Sequence, residues 1–214
     1  LVVIMSAHFG ESCLAWMRSL PDDYMTSKQT VSYAGLFDDV GADAWYASSV
    51  DYVKYGRLMY GTGNNLFQPD AQMTRAMFAQ VLYALEGSPS VRGLSCPFTD
   101  AGGSWYTDAV IWAYHAGVVA GVSATQFAPN EALTREQMVT MLYGYAGRDE
   151  QLYGSDGALA SYQDQASVSD WAREAMAWAV STGVITGTST TTLAPQKIGT
   201  RAEVATVLMQ FCEQ

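Results

Sequence analysis

Basic charge is scarce in this sequence: eleven lysines and arginines stand against twenty-one aspartates and glutamates, leaving a net charge of −10. Sequence-independent binding to nucleic acid or anionic lipid needs a basic face to neutralise phosphates, and no basic run is present. Long apolar runs are missing too. The opening LVVIM falls far short of the roughly 20 apolar residues that cross a bilayer, so membrane insertion is not expected. The first twenty residues lack the basic flank, long apolar centre and small-residue cleavage site of a secretory signal, and the chain starts at Leu1, so it reads as a piece of a longer precursor. Histidine is limited to His8 and His115. His8, Glu11 and Cys13 in HFGESC look superficially like a nucleophile with its base, but residues inside one turn seldom supply triad geometry, and no catalytic residue is expected. The three cysteines, Cys13, Cys96 and Cys212, show no metal-ligand spacing and cannot all pair internally; buried or idle thiols are favoured over a single disulfide, with no metal or cofactor implied. The glycines Gly61 and Gly63 are not a nucleotide loop, because no strand precedes them and no further glycine follows at the needed spacing.

What the chain has instead is repetition. With 214 residues and 49% hydrophobic content it is long and apolar enough for a sizeable core. TRAMFAQVLYAL begins at Thr74, TREQMVTMLYGY at Thr134 and TRAEVATVLMQF at Thr200. Three copies align without a gap from Trp45, Trp105 and Trp171 through Gly61, Gly121 and Gly187 and Pro69, Pro129 and Pro195 to Arg75, Arg135 and Arg201. Ahead of each tryptophan comes an aromatic, any residue and an aspartate: FDD from Phe37, FTD from Phe98 and YQD from Tyr162.

Each copy predicts two helices joined by a turn-rich connection. The first carries a core aromatic at matching positions, Tyr52, Trp112 or Trp178; in the third copy AREAMAWAVSTG holds its apolar residues at helical spacing until Gly183. His115 reads as a helix residue ahead of Gly117. The connection, GTGNNLFQPD in the first copy, is turn chemistry around one buried side chain, Phe67, Phe127 or Leu193. Threonine then caps the second helix: Glu203 completes a capping box with Thr200, Gln137 can do so with Thr134, and Met77 cannot with Thr74. The stripes Phe78, Val81, Leu82, Leu85, then Met138, Met141, Leu142, Tyr145, then Val204, Val207, Leu208, Phe211 each need a partner. A unit of this size buries too little surface alone, so the expected fold is mainly α: three two-helix repeats in a pseudo-threefold arrangement around a central three-helix bundle. The expected copies are residues 37–87, 98–147 and 162–214, linked by GSPSVRGLSCP and GRDEQLYGSDGALAS. Residues 1–36 match no copy; the end of an upstream domain, an expression scar and an extra helix closing the bundle are all open, with the extra helix slightly favoured.

An arginine at the first helical position is unexpected, since the positive end of the helix dipole disfavours a cation there by about 0.3–1 kcal/mol. One such arginine reads most simply as an exposed side chain whose stem lies over an aromatic ring or which pairs with a carboxylate. Three of the eight arginines at one register, among neighbours that drift, ask for more. A helix start with free amides and a guanidinium fork can take a carboxylate or phosphate, and a tryptophan at fixed register either stacks on a sugar ring or serves the fold. As an exposed first-turn residue, the arginine is expected to contribute little to stability.

The pattern of an aromatic-any-Asp triplet, a spaced Trp, Gly, an aromatic before Pro and then TRAE or a variant, three times over residues 37 to 214, resembles the S-layer homology repeat. The resemblance implies a bacterial, exported, cell-surface or cell-wall protein whose three repeats form grooves for a secondary cell-wall polysaccharide, commonly pyruvylated, with the pyruvate carboxylate as the arginine's anion. It implies ligand-binding roles for Arg75, Arg135 and Arg201, and groove or loop-fixing roles for Trp45, Trp105, Trp171, Asp39, Asp100 and Asp164. Modified peptidoglycan as ligand, or a purely structural self-assembly module, are the alternatives. TRAM and TREQ depart from TRAE, and Arg57 stands where the other copies have Gly117 and Gly183, which implies an altered or silent first groove.

Overall fold

The computed structural model describes residues 36–147, 154–155 and 157–213. The extra helix considered for residues 1–36, and Cys13 with the HFGESC stretch, lie outside the described residues. Among the described residues there are six α-helices: α1 (Ala47–Tyr55), α2 (Arg75–Leu85), α3 (Thr107–His115), α4 (Arg135–Ala146), α5 (Arg173–Ser181) and α6 (Arg201–Cys212). Two short 3-10 turns, Gln165–Ser167 and Asp170–Ala172, precede α5. Among the described residues there are no strands, only isolated bridges such as Thr74 with Ala132 and Thr134 with Ile198. The protein is mainly helical, with two helices per copy.

The second helices start where the threonines place them. Thr134 and Thr200 accept from the N–H of Gln137 and Glu203, whose side chains in turn accept from the threonine N–H, so both capping boxes are closed. Thr74 accepts from the Met77 N–H at 3.3 Å. All twelve stripe residues named above are buried. So are Tyr52, Trp112 and Trp178 on the first helices and Phe67, Phe127 and Leu193 in the connections.

Two compact units divide the chain, and they do not follow the copies. One contains the described residues up to Ala71, Ala84–Gly87 and the chain from Thr200 on; the other contains Gln72–Tyr83 and Ser88–Gly199. In the first unit α1 packs on α6, and Thr206 bonds Ser49 across that pair. In the second, α4 packs on α5, with the Tyr143 and Trp178 rings 5.6 Å apart; the Tyr83 and Trp112 rings make the same contact at 5.6 Å. Each of these pairs joins the second helix of one copy to the first helix of another. Buried Glu136 adds a tie in the second unit, accepting from the Ser169 N–H, the Ser169 hydroxyl and Gln196 Nε2.

A ring of three backbone hydrogen bonds lies in the second unit, at the residues preceding the threonine caps. Met73 N–H donates to Gly199, Gly199 N–H to Leu133, and Leu133 N–H to Met73, at 3.1, 2.9 and 2.8 Å. One residue from each copy contributes. The copies also share a spatial reason for Gly61, Gly121 and Gly187: a Cβ at Gly61 would lie 2.7 Å from the Phe37 ring and 2.8 Å from the Leu66 carbonyl oxygen, and the other two face equivalent crowding from Phe98 and Tyr162. Where Gly117 and Gly183 adopt positive φ after their helices, Arg57 does so with φ 58°, at a cost of about 1–2 kcal/mol relative to glycine.

Candidate functional site: the arginine frame and its groove

Arginine is long enough to reach from a helix start into a neighbouring connection, and its planar fork suits carbonyl oxygens as well as carboxylates. Arg75 Nε donates to Phe127 O at 2.8 Å and Nη2 to Ala120 O at 3.0 Å. Arg135 repeats the geometry one copy later, with Nε to Leu193 O at 3.2 Å and Nη2 to Thr186 O at 2.7 Å. Arg201 closes the series within the first unit, with Nε to Phe67 O at 2.7 Å and Nη2 to Tyr60 O at 2.6 Å. The first copy's arginine thus holds the second copy's connection, the second holds the third's, and the third holds the first's. The guanidinium groups of Arg75 and Arg201 also lie 4.7 and 4.5 Å from the centres of the Phe127 and Phe67 rings.

These contacts correct the expectation of exposed arginines. Arg75 is 6% exposed and Arg135 5%, while Arg201 is half-buried. Burial draws the Arg75 and Arg201 guanidinium pKa values down, opposed by Glu131 and Asp100 for Arg75 and by Asp39 for Arg201. The first-turn amides are not free either. The N–H groups of Arg75 and Ala76 donate to Glu131 O and Pro129 O, those of Arg135 and Glu136 to Lys197 O and Pro195 O, and those of Arg201 and Ala202 to Ala71 O and Pro69 O. The third amide of each helix goes to its threonine. A helix start whose amides are all bonded to the protein offers an anion no backbone donors, so any anion here must be held by side chains.

The aspartates fix the loops that the arginines grip. Asp39 accepts from Phe67 N–H and Gln68 N–H, Asp100 from Phe127 N–H and Ala128 N–H, and Asp164 from Leu193 N–H and Ala194 N–H, all at 2.7–2.9 Å. Gln68, Ala128 and Ala194 take positive φ, 57°, 59° and 53°, a strained conformation for residues with a Cβ that these carboxylates hold in place. Desolvation raises the Asp100 pKa, but the two amides and Arg75 outweigh it, and the carboxyl lies below the usual range. Asp164 is lowered by the Leu193 amide first, then the Ala194 amide and Arg135, against desolvation. In each copy one peptide unit is held at both ends, its N–H by aspartate and its C=O by arginine.

The tryptophans behave in the opposite way. Trp45, Trp105 and Trp171 are exposed, with Trp171 at 58%. Trp45 and Trp105 stand edge-on to Tyr46 and Tyr106. Trp171 lines a groove of about 520 Å³ together with Arg75, the Val118–Val122 segment, Gln137, Thr140 and Met141. The structure therefore brings Arg75 and Trp171 to one concavity, while Asp100, which holds the Phe127 loop, and Trp105 are not among its lining residues. Gln137 and Thr140 are groove residues that the sequence reading did not single out as such. The box pattern marked Gln137 for capping alone, and nothing local marks Thr140.

The groove lining carries one cation, neutral polar side chains, an open indole face and no carboxylate. Such a surface suits an anionic ligand with a flat or ring-shaped body. Among the described residues no cluster of His, Cys, Asp or Glu is suited to a metal ion, and no helix is long and apolar enough to cross a membrane.

A family model described as the S-layer homology domain matches residues 36–79, 97–139 and 161–205. Among curated proteins, the chain is 30% identical over 86% of its length to the surface-layer 125 kDa protein of Lysinibacillus sphaericus, covering 15% of that protein. It is 28% identical over 86% of its length to the S-layer protein sap of Bacillus anthracis, covering 22% of it. To the exoglucanase XynX of Acetivibrio thermocellus it is 29% identical over 83% of its length, covering 16% of that enzyme. The chain thus spans a small part of each of these relatives.

Proposed function

The chain belongs to the S-layer homology domain family, which makes it a bacterial cell-surface or cell-wall protein, and on that premise we propose that it is a non-covalent wall anchor that takes an anionic, pyruvylated saccharide of the secondary cell-wall polysaccharide in grooves between its repeats. The observation that carries the reading is the groove in which Arg75 and exposed Trp171 stand together. An exposed tryptophan at the same register in three copies contributes little to a core, but its face can stack on a sugar. Arg75 spends two donors on carbonyls, and a guanidinium has five, so further N–H groups remain for a carboxylate.

Arg135 and Arg201 repeat the Arg75 geometry, which supports a role for them as further ligand arginines. Several weak sites on one repeating polymer raise retention by a factor of roughly 100–10,000 through effective concentration. We assign this chain no catalytic role; the exoglucanase named above is matched over only 16% of its length.

Cosedimentation with purified walls tests the reading. Binding that disappears once the secondary polymer is extracted supports it. Binding lost only after peptidoglycan digestion shifts the ligand to peptidoglycan, and no wall binding at all leaves a self-assembly module.

A further inference from the structure

We infer that Glu136, buried and absent from the groove lining, is a positioning residue that holds the segment carrying Trp171; its consequence for binding rests on the saccharide reading above. The three tryptophans are supported in different ways. Trp45 and Trp105 are each followed by a tyrosine, Tyr46 or Tyr106, whose ring stands edge-on to the indole with centres 5.2 and 5.1 Å apart. Trp171 is followed by Ala172, which offers no such ring. In its place copy three has a bonded turn. Ser169 O accepts from the Ala172 N–H at 2.9 Å, enclosing Asp170 and Trp171, and Glu136 takes the other end of Ser169: Oε2 accepts from its N–H at 3.0 Å and Oε1 from its hydroxyl at 2.8 Å. Oε1 also accepts from Gln196 Nε2 at 2.7 Å, and that amide donates on to Ser167 O at 3.3 Å, at the end of the preceding 3-10 turn. One carboxylate therefore ties both turns ahead of α5.

The set belongs to this junction alone. Ala76 and Ala202 stand at the register of Glu136, Asp43 and Gly103 at that of Ser169, and Asp70 and Asn130 at that of Gln196. Among the described residues, neither 3-10 turn has a counterpart in copies one and two. Nothing at the helix start requires the glutamate, since alanine serves α2 and α6 there. A carboxylate only 2% exposed is costly to bury unless its oxygens are bonded, and Ser169 and Gln196 bond both of them. What it fixes is a segment whose indole, 58% exposed, draws little hold from packing. A face already fixed loses less freedom when a sugar stacks on it.

Glu136→Ala, which installs the residue of copies one and three, tests the role. The full chain is labelled with nitrogen-15 and studied where circular dichroism shows each variant folded. Without ligand, the backbone order parameters of Asp170 and Trp171 should fall from about 0.85 to about 0.6 or lower, while those within α4 keep their wild-type values. Titration with a pyruvylated disaccharide, followed at the Trp171 indole N–H resonance assigned from a Trp171→Phe variant, should show affinity weakened about two- to tenfold, the range for ordering one side chain. Glu136→Gln keeps one of the two acceptors and should fall between; where Glu136→Ala does not fold, it carries the same test at smaller amplitude. Unchanged order parameters, even with lowered stability in urea, leave Glu136 a structural tie and overturn the proposal. Lowered order parameters with unchanged affinity overturn its consequence for binding. No binding of the disaccharide by wild type overturns the saccharide reading alone, and the order parameters still decide the positioning.

Discussion

Arginine and tryptophan recur in this chain with equal regularity, thirty residues apart in every copy, yet the structure treats them as opposites. Arg135 is 5% exposed and bonded to carbonyls of the next copy; Trp105 is 61% exposed. Recurrence alone does not say whether a residue serves the fold or a ligand. Burial separates the two: the arginines, with the aspartates, form a frame that ties connections to helix starts, while the three tryptophans stay exposed and Trp171 lines the groove. Arg75 belongs to both, because it bonds two carbonyls and also lines the groove.

The comparison can be broken first at the frame. Arg135→Ala strips a charged donor from Leu193 O and Thr186 O, and is expected to cost about 2–4 kcal/mol in urea or thermal unfolding. A loss below about 0.5 kcal/mol would return the arginines to the surface role that the sequence suggests. Next comes Thr134→Ala, which removes the hydroxyl that accepts the Gln137 N–H and should cost about 1 kcal/mol. An unfolding curve identical to wild type would place the helix start elsewhere.

Acidity sharpens the same contrast. The folded pKa values of Asp100 and Asp164 are depressed, so the stability they contribute is present above the ordinary carboxylate range and is lost as pH falls through their folded values. Melting temperature should therefore drop as pH falls below about 4. Asp51 acts with the opposite sign. Buried in α1 without compensating charge, its carboxyl is pushed up to about 7, so the folded chain holds a proton that the unfolded chain has released. Stability from this group falls as pH rises between about 4 and 7. Asp51→Asn should raise the melting temperature at pH 8 more than at pH 4; an equal change at both would remove Asp51 from the account. The smallest effect on stability belongs to the exposed tryptophan of the groove: Trp171→Ala should change unfolding by no more than about 0.5 kcal/mol, while weakening cosedimentation with walls. A large destabilisation with unchanged wall binding would move tryptophan into the frame.

What was legible in the sequence follows from distance along the chain. Capping boxes and helix stripes are written within a few residues to a few tens of residues, and the structure carries them as the residues predict. The arginine partners are not local. Phe127 O is 52 residues from Arg75 and Phe67 O is 134 from Arg201, and carbonyl acceptors leave no mark in side-chain identity. For that reason the repeated arginine looked like a waiting anion site with free amides, when its fork and its helix amides were already bonded to another copy. Buried Glu136 was missed as well, although it stands out by register, since Ala76 and Ala202 occupy its place in the other copies. The groove was half legible: Arg75 and Trp171 could be named, but their meeting depends on three copies coming together, which spacing within one copy does not show.

Calorimetric titration with a pyruvylated disaccharide and its unpyruvylated counterpart tests the central claim most directly. If the groove of Arg75 and Trp171 receives a carboxylate-bearing sugar, loss of the pyruvate should weaken binding at least about tenfold, the equivalent of one charge-assisted hydrogen bond. Equal affinity for the two sugars, or no heat from either, would contradict it.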